Sequence, residues 1–368
     1  MQALSTKSYY PGLDALRGIA VLSVIFSHFY ITNANWEWGW MGVDLFFVIS
    51  GFLITTILLR TDKNKSSFFR NFYIRRALRI LPLCLALLSV FFLVVCVFDL
   101  HNRLVFYKEN WFYYFLFLEN WLFVFKRLPQ EYYLNHLWSL AVEEQFYLFF
   151  PILVYFVSRK KLTRLILFLL PVVFCLRTLL WHQYPDQFAV YYCNTFTRID
   201  SILFGALLGC GYRIRKAPAL LLLVTSLGVL FAGILTFRSA SMKTPFMATI
   251  GYSLIALVAY LFLLFFTQSD TSLSLLRNNR ILNFIGKISY GVYLLHLPIN
   301  LVTVSLCAKF FGAASSSPVV VASSLLLTLL ISTISFYTLE RYFLHLKKYF
   351  PNQPAKPPAL PSLLQQQR

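Results

Sequence analysis

Apolar runs of about twenty residues recur from one end of this chain to the other, and no other feature constrains its fold as tightly. Inside a bilayer no water pairs with backbone N–H and C=O groups. A spanning segment must therefore be an α-helix or part of a closed β-barrel. The runs are continuous rather than alternating, which selects helices. About ten are expected, near residues 13–31, 40–59, 80–100, 141–158, 162–181, 198–214, 217–236, 245–266, 281–306 and 318–339. With 58% hydrophobic residues and a mean hydropathy of +0.66, the chain lacks the polar side chains a soluble protein of 368 residues needs for its surface. The expected fold class is all-α, a polytopic integral membrane protein.

The formal charge of +19 does not indicate nucleic-acid binding. The cations cluster at the ends of apolar runs, as in "RRALR" at 75–79, "RKK" at 159–161 and "RIRK" at 213–216. That is the positive-inside pattern, and no segment is long enough for a soluble basic domain. With the N-terminus inside, Lys and Arg favour the inner side by about three to one, so both termini are expected in the cytoplasm. The six cysteines form no C-x-x-C pair and mostly sit in apolar runs, so neither a disulfide framework nor a metal site is expected. Residues 13–31 lack a small-residue cleavage signature and are expected to stay in the mature protein.

"WFYYFLFLENWLFVF", 111–125, is short and holds Glu119 and Asn120 at its middle. A full span here would put "RKK" outside, so a re-entrant or interfacial element is expected, with a short tilted span as the alternative. Residues 8–345 are expected to form one membrane domain. The Pro- and Gln-rich 346–368 are expected to be a disordered cytoplasmic tail.

Ionisable residues inside such runs are costly and must face protein or a cavity rather than lipid. In "LDALRGIAVLSVIFSHFYI", Arg17 and His28 are eleven residues apart. They share one helix face, separated by about 16 Å along the axis. Asp14 lies three before Arg17 and can pair with it. A structural ion pair and an interface histidine would look the same residue by residue; the common face is what points to function. Asp44, in "WMGVDLFFVISGFLIT", can pair with Arg17, His28 or the backbone, or serve helix packing. Arg75, Arg76 and Arg79 fall within about 100° of one short helix before Pro82, a fan suited to phosphate and equally to topogenic charge. "NHLWSLAVEEQFYLFFP" carries His136, Trp138, Ser139 and the adjacent Glu143 and Glu144. Neighbouring helix positions diverge by about 100°, so one glutamate can face a site while the other meets another helix. Arg198 and Asp200 open a later span. Tyr290, Tyr293 and His296 precede Pro298, which should free a helical carbonyl.

Taken in order, "GLDALRGIAVLSVIFSHF", "GVDLFFVISGFLIT", "FYIRRALRILP", "LWSLAVEEQFYLFFP", "RIDSILFGALLG" and "ISYGVYLLHLPI" resemble the membrane acyltransferase-3 family across residues 8–340. The resemblance implies an O-acyltransferase of about ten spans in the bacterial cytoplasmic (inner) membrane. Such an enzyme moves an acyl group, commonly acetyl, from cytoplasmic acyl-CoA to a hydroxyl of a carbohydrate or lipid-linked sugar in the envelope or for export. No cofactor is held permanently; acyl-CoA is a co-substrate. It also implies His28 as the catalytic histidine with Arg17 as its motif partner, assisted by Glu143, Glu144 and Asp44. Arg75, Arg76 and Arg79 would lie near the donor's phosphates. Asp14, Trp138, Ser139, Arg198, Asp200, Tyr290 and His296 are candidate lining residues. His28 can act as a base on the acceptor or be acylated itself. The alternative from another class is a proton-coupled secondary transporter, with His28 and the glutamates as its relay.

Overall fold

A computed structural model describes residues 12–29, 34–98, 104–126, 128–129, 131–268, 273–312, 314–315 and 317–352, for 34–37 as backbone only. The expected tail beyond residue 352 lies outside the described residues. Among those described there is no β-strand. Eight of the described helices are long and apolar enough to cross a membrane. They centre on α2 (Gly42–Arg60), α3 (Phe68–Phe98), α6 (Trp138–Phe156), α7 (Arg159–Gln183), α10 (Lys216–Phe237), α11 (Tyr252–Thr267), α14 (Ser289–Phe311) and α15 (Pro318–Ser335). Two further expected spans contain α1, described as Leu13–Phe29, and the shorter α9 (Thr195–Gly209), 15 residues. At about 1.5 Å per residue α9 falls short of a hydrocarbon core of about 30 Å. Both pack inside the bundle, shielded from lipid by their neighbours.

Small residues decide which helices touch. A Cβ on Gly51 of α2 would lie 1.9 Å from the Ile202 carbonyl of α9, and one on Gly205 of α9 would lie 1.9 Å from the Val48 carbonyl of α2. The two backbones meet through these reciprocal glycines. Gly18 of α1 and Gly286 of α13 (Arg280–Lys287) repeat the device against the Leu282 and Asp14 carbonyls.

Two boundaries differ from expectation. The arginine segment is not a separate short helix: α3 runs unbroken through Pro82, whose missing N–H removes one helical bond without ending the helix. The stretch 280–306 divides at Ile288 into α13 and α14. Residues 105–126 form α4 (Val105–Phe115) and α5 (Glu119–Lys126), neither long enough to span. They join at a sharp turn with Phe117 at φ 54°. Gln145 of α6 holds this turn: its amide donates to the Phe117 carbonyl (2.9 Å) and to Asn120 Oδ1 (2.9 Å). The Gln of "EEQ" is thus a dock for the element.

Candidate active site

Five helices, α1, α2, α3, α6 and α14, enclose a cavity of about 100 Å³. At one end Arg17, Arg76 and Arg79 line it; Ser50 and Glu143 follow, and Ser139, Tyr290 and Tyr293 complete the wall. Arg17 is paired with Asp14 at 3.2 Å, the i, i+3 contact expected from the sequence. Glu143 accepts from Ser50 Oγ (2.9 Å) and Tyr147 Oη (2.8 Å), so both carboxylate oxygens are positioned. Glu144 turns away, as helix geometry requires. It lines a separate, mostly apolar cleft with Arg76, Trp121 and Gln145.

Beyond Tyr293 lie three imidazoles. His296 sits with its ring centroid 4.9 Å from those of both His28 and His136. Their hydrogen bonds fix their tautomers. His296 Nδ1 lies 2.6 Å from the Tyr293 carbonyl. A carbonyl only accepts, so Nδ1 carries the hydrogen and, in the neutral ring, Nε2 is the acceptor. That nitrogen is 2.8 Å from His28 Nδ1, which must therefore donate. The remaining nitrogen of His28, Nε2, is left with a lone pair, the state a general base needs. His136 is set by a different carbonyl. Pro298 has no N–H to offer Leu294 four residues earlier, and the freed Leu294 carbonyl accepts from His136 Nε2 at 3.1 Å. Tyr293 Oη donates to the His136 carbonyl (2.8 Å) and lies 2.5 Å from Ser139 Oγ, tying the histidines to the cavity wall.

Not every candidate joins this site. His28 is half-buried and is not part of the cavity wall; it reaches the wall through His296 and Tyr293. Arg75 donates instead to the carbonyls of Lys347 (2.8 Å) and Phe350 (3.2 Å), anchoring the segment after α15. Tyr290 lines the cavity, but its hydroxyl donates to the Ile80 carbonyl at 2.6 Å. Asp44, Arg198 and Asp200 belong to a separate polar core. Asp44 pairs with Arg198 at 2.8 Å and accepts from Ser201 Oγ at 2.6 Å. Asp200 pairs with Arg177 at 2.8 Å and accepts from Ser253. All four charged groups are fully buried. Arg198 also stacks over Tyr252, Tyr192 and Trp138, which places Trp138 here rather than at the cavity. No contact with His28 explains Asp44; its partners lie on α9. Sequence reasoning assigned no role to His136, although it stands in the quoted motif, and passed over Arg177, a lone cation in an apolar run. Among the described residues no His, Cys, Asp and Glu cluster is arranged to hold a metal ion.

Comparison with known proteins decides the family. The model of the acyltransferase-3 domain matches residues 10–337. The chain belongs to the acyltransferase-3 family. It is 34% identical over 324 residues to the peptidoglycan O-acetyltransferase OatA of Listeria monocytogenes, covering 81% of this chain and 50% of that protein. It is 34% identical over 319 residues to Bacillus subtilis YrhL, provisionally named a peptidoglycan O-acetyltransferase, covering 79% and 48%. A provisionally named O-acetyltransferase of Staphylococcus aureus is 32% identical over 314 residues, covering 79% and 50%. The chain spans about half the length of the curated relatives it matches. No solved structure matches this acyltransferase-3 chain.

Proposed function

We propose that this protein is a membrane-embedded O-acyltransferase that moves an acyl group, acetyl by preference, from cytoplasmic acyl-CoA to a hydroxyl of a carbohydrate-containing envelope acceptor. The observation that carries the reading is the cavity with arginines at one end and a tautomer-fixed histidine pair beyond the other. Arg76 and Arg79, with Arg17 beside them, suit the donor's phosphates. The pantetheine arm would pass Ser50 and Glu143 towards Tyr293.

In this mechanism His28 Nε2 takes the proton of the acceptor hydroxyl as its oxygen attacks the thioester carbon. His296 Nε2 accepts the Nδ1–H of the imidazolium that forms. We assign the Ser139 hydroxyl to the tetrahedral oxyanion, since the hydrogens of Tyr290 and Tyr293 are spent on the Ile80 and His136 carbonyls. Collapse breaks the carbon–sulfur bond, and His28 returns its proton to the departing thiolate. The relatives' names favour a sugar hydroxyl as acceptor, and family membership favours acyl transfer over proton-coupled transport.

The test is turnover of acetyl-CoA labelled in its acetyl group by purified protein in liposomes. His28→Ala is expected to abolish it. Wild-type turnover by a correctly folded His28→Ala protein refutes the mechanism.

A further inference from the structure

We infer that a second cavity, on the opposite side of α2 from the first, is a binding site for a phosphate-bearing anion. It measures about 250 Å³ and shares no lining residue with the first. Four cations line it: Arg60 at the end of α2, Lys63 in the following turn, Arg159 at the start of α7, and Arg213 after α9. Among the described residues no carboxylate does. Asp62, between two of the cations in sequence, accepts from the Asn64 N–H at 3.0 Å and is not part of the wall.

Two of the four cations are tied down by backbone carbonyls. Arg159 Nε donates to the Cys210 carbonyl at 2.5 Å, laying its guanidinium against Gly211. A Cβ at Gly211 would lie 2.0 Å from Arg159 Nη2, and its φ of +78° is one that favours glycine. Lys63 uses one ammonium hydrogen on the Val154 carbonyl and keeps two more for a ligand. α7 opens here with no side-chain cap and no acidic residue in its first turn, so its positive dipole end adds to the field. Topogenic charge alone needs none of this. Lys160 and Lys161, next in sequence and exposed, satisfy the inner-side bias without entering the cavity. Lys63, Arg159 and Arg213 repel one another across the hollow until an anion joins them.

Arginines and a lysine at helix ends suit a phosphate group. Two sources offer one, an anionic phospholipid headgroup or a soluble phosphate, since helix ends lie at headgroup depth. Thermal unfolding of the purified full chain in uncharged detergent separates them, titrated with phosphatidylglycerol, phosphatidylcholine or inorganic phosphate. Wild-type protein is expected to be stabilised by phosphatidylglycerol or by inorganic phosphate, and not by phosphatidylcholine. Stabilisation by phosphatidylglycerol alone marks the headgroup source; stabilisation by inorganic phosphate marks the soluble one. A lost cation near a membrane surface costs about 1 kcal/mol, about fivefold in affinity. Arg213→Gln, at an exposed side chain, should weaken binding by about that factor, and the Lys63→Gln/Arg213→Gln pair by about twenty-fivefold. Lys160→Gln should leave it unchanged. No stabilisation by either anion, stabilisation by phosphatidylcholine equal to that by phosphatidylglycerol, or equal binding by the cavity variants overturns the proposal.

Discussion

Replacing His296 tests the proton bookkeeping most directly. Its Nε2 is 2.8 Å from His28 Nδ1, and its own hydrogen is committed to the Tyr293 carbonyl at 2.6 Å. In the resting enzyme the His28–His296 contact is a neutral hydrogen bond, worth about 0.5–1.5 kcal/mol net. Once His28 holds the acceptor's proton the same bond is charge-assisted, worth about 1.5–3 kcal/mol. Only the difference lowers the barrier, because stabilisation common to both states does not accelerate the step. That difference is about 1–2 kcal/mol, or about 5- to 30-fold in rate. Losing control of the tautomer adds to it, since a His28 ring with its hydrogen on Nε2 has no base to offer. His296→Ala is therefore expected to lower kcat by about 10- to 100-fold. His296→Gln, which can keep an acceptor for His28, should fall within about fivefold of wild type. The KM for acetyl-CoA should stay unchanged in both, because the arginines lie at the other end of the cavity. The assay is steady-state release of free CoA thiol by purified protein in liposomes. A folded His296→Ala protein with wild-type kcat, or one in which only KM moves, would refute the reasoning.

Two further outcomes follow from the geometry. Arg76→Gln and Arg79→Gln should each raise the KM for acetyl-CoA by about tenfold, with a smaller change in kcat, whereas Arg75→Gln should spare KM and cost about 1–3 kcal/mol of stability through the carbonyls it leaves unpaired; steady-state kinetics and thermal melts separate the two. Asp44→Asn leaves Arg198 buried without its counter-charge and should cost about 3–5 kcal/mol, read as a lowered unfolding temperature in detergent with little effect on the KM of the protein that remains folded.

Features carried by one helix were legible in the sequence. The Asp14–Arg17 contact, the divergence of Glu143 from Glu144 and the carbonyl freed by Pro298 all follow from helix periodicity and proline chemistry, and each is present. Pairings between helices were not legible. Asp44 could be matched with Arg17 or His28 by depth alone; its partner is Arg198, 154 residues away, because reciprocal glycines bring α2 against α9. A helical wheel grouped three arginines, yet Arg75 is drawn to carbonyls 272 and 275 residues further on. Tyr290 was legible as a lining residue, but that the Ile80 carbonyl takes its hydrogen was not. Length failed for a related reason: α9 has protein neighbours where an outer helix would have lipid.

A ring that removes one amide hydrogen from α14 thereby settles a question on another helix. Were residue 298 able to donate, the Leu294 oxygen would close its own turn, and the His136 imidazole would be free to place its hydrogen on either nitrogen. Chemical information about one side chain is thus stored in the backbone of a distant segment. Exchanging this proline for alanine, which on an ordinary helix would only straighten it, would here rewrite the donor–acceptor pattern bordering the histidine pair.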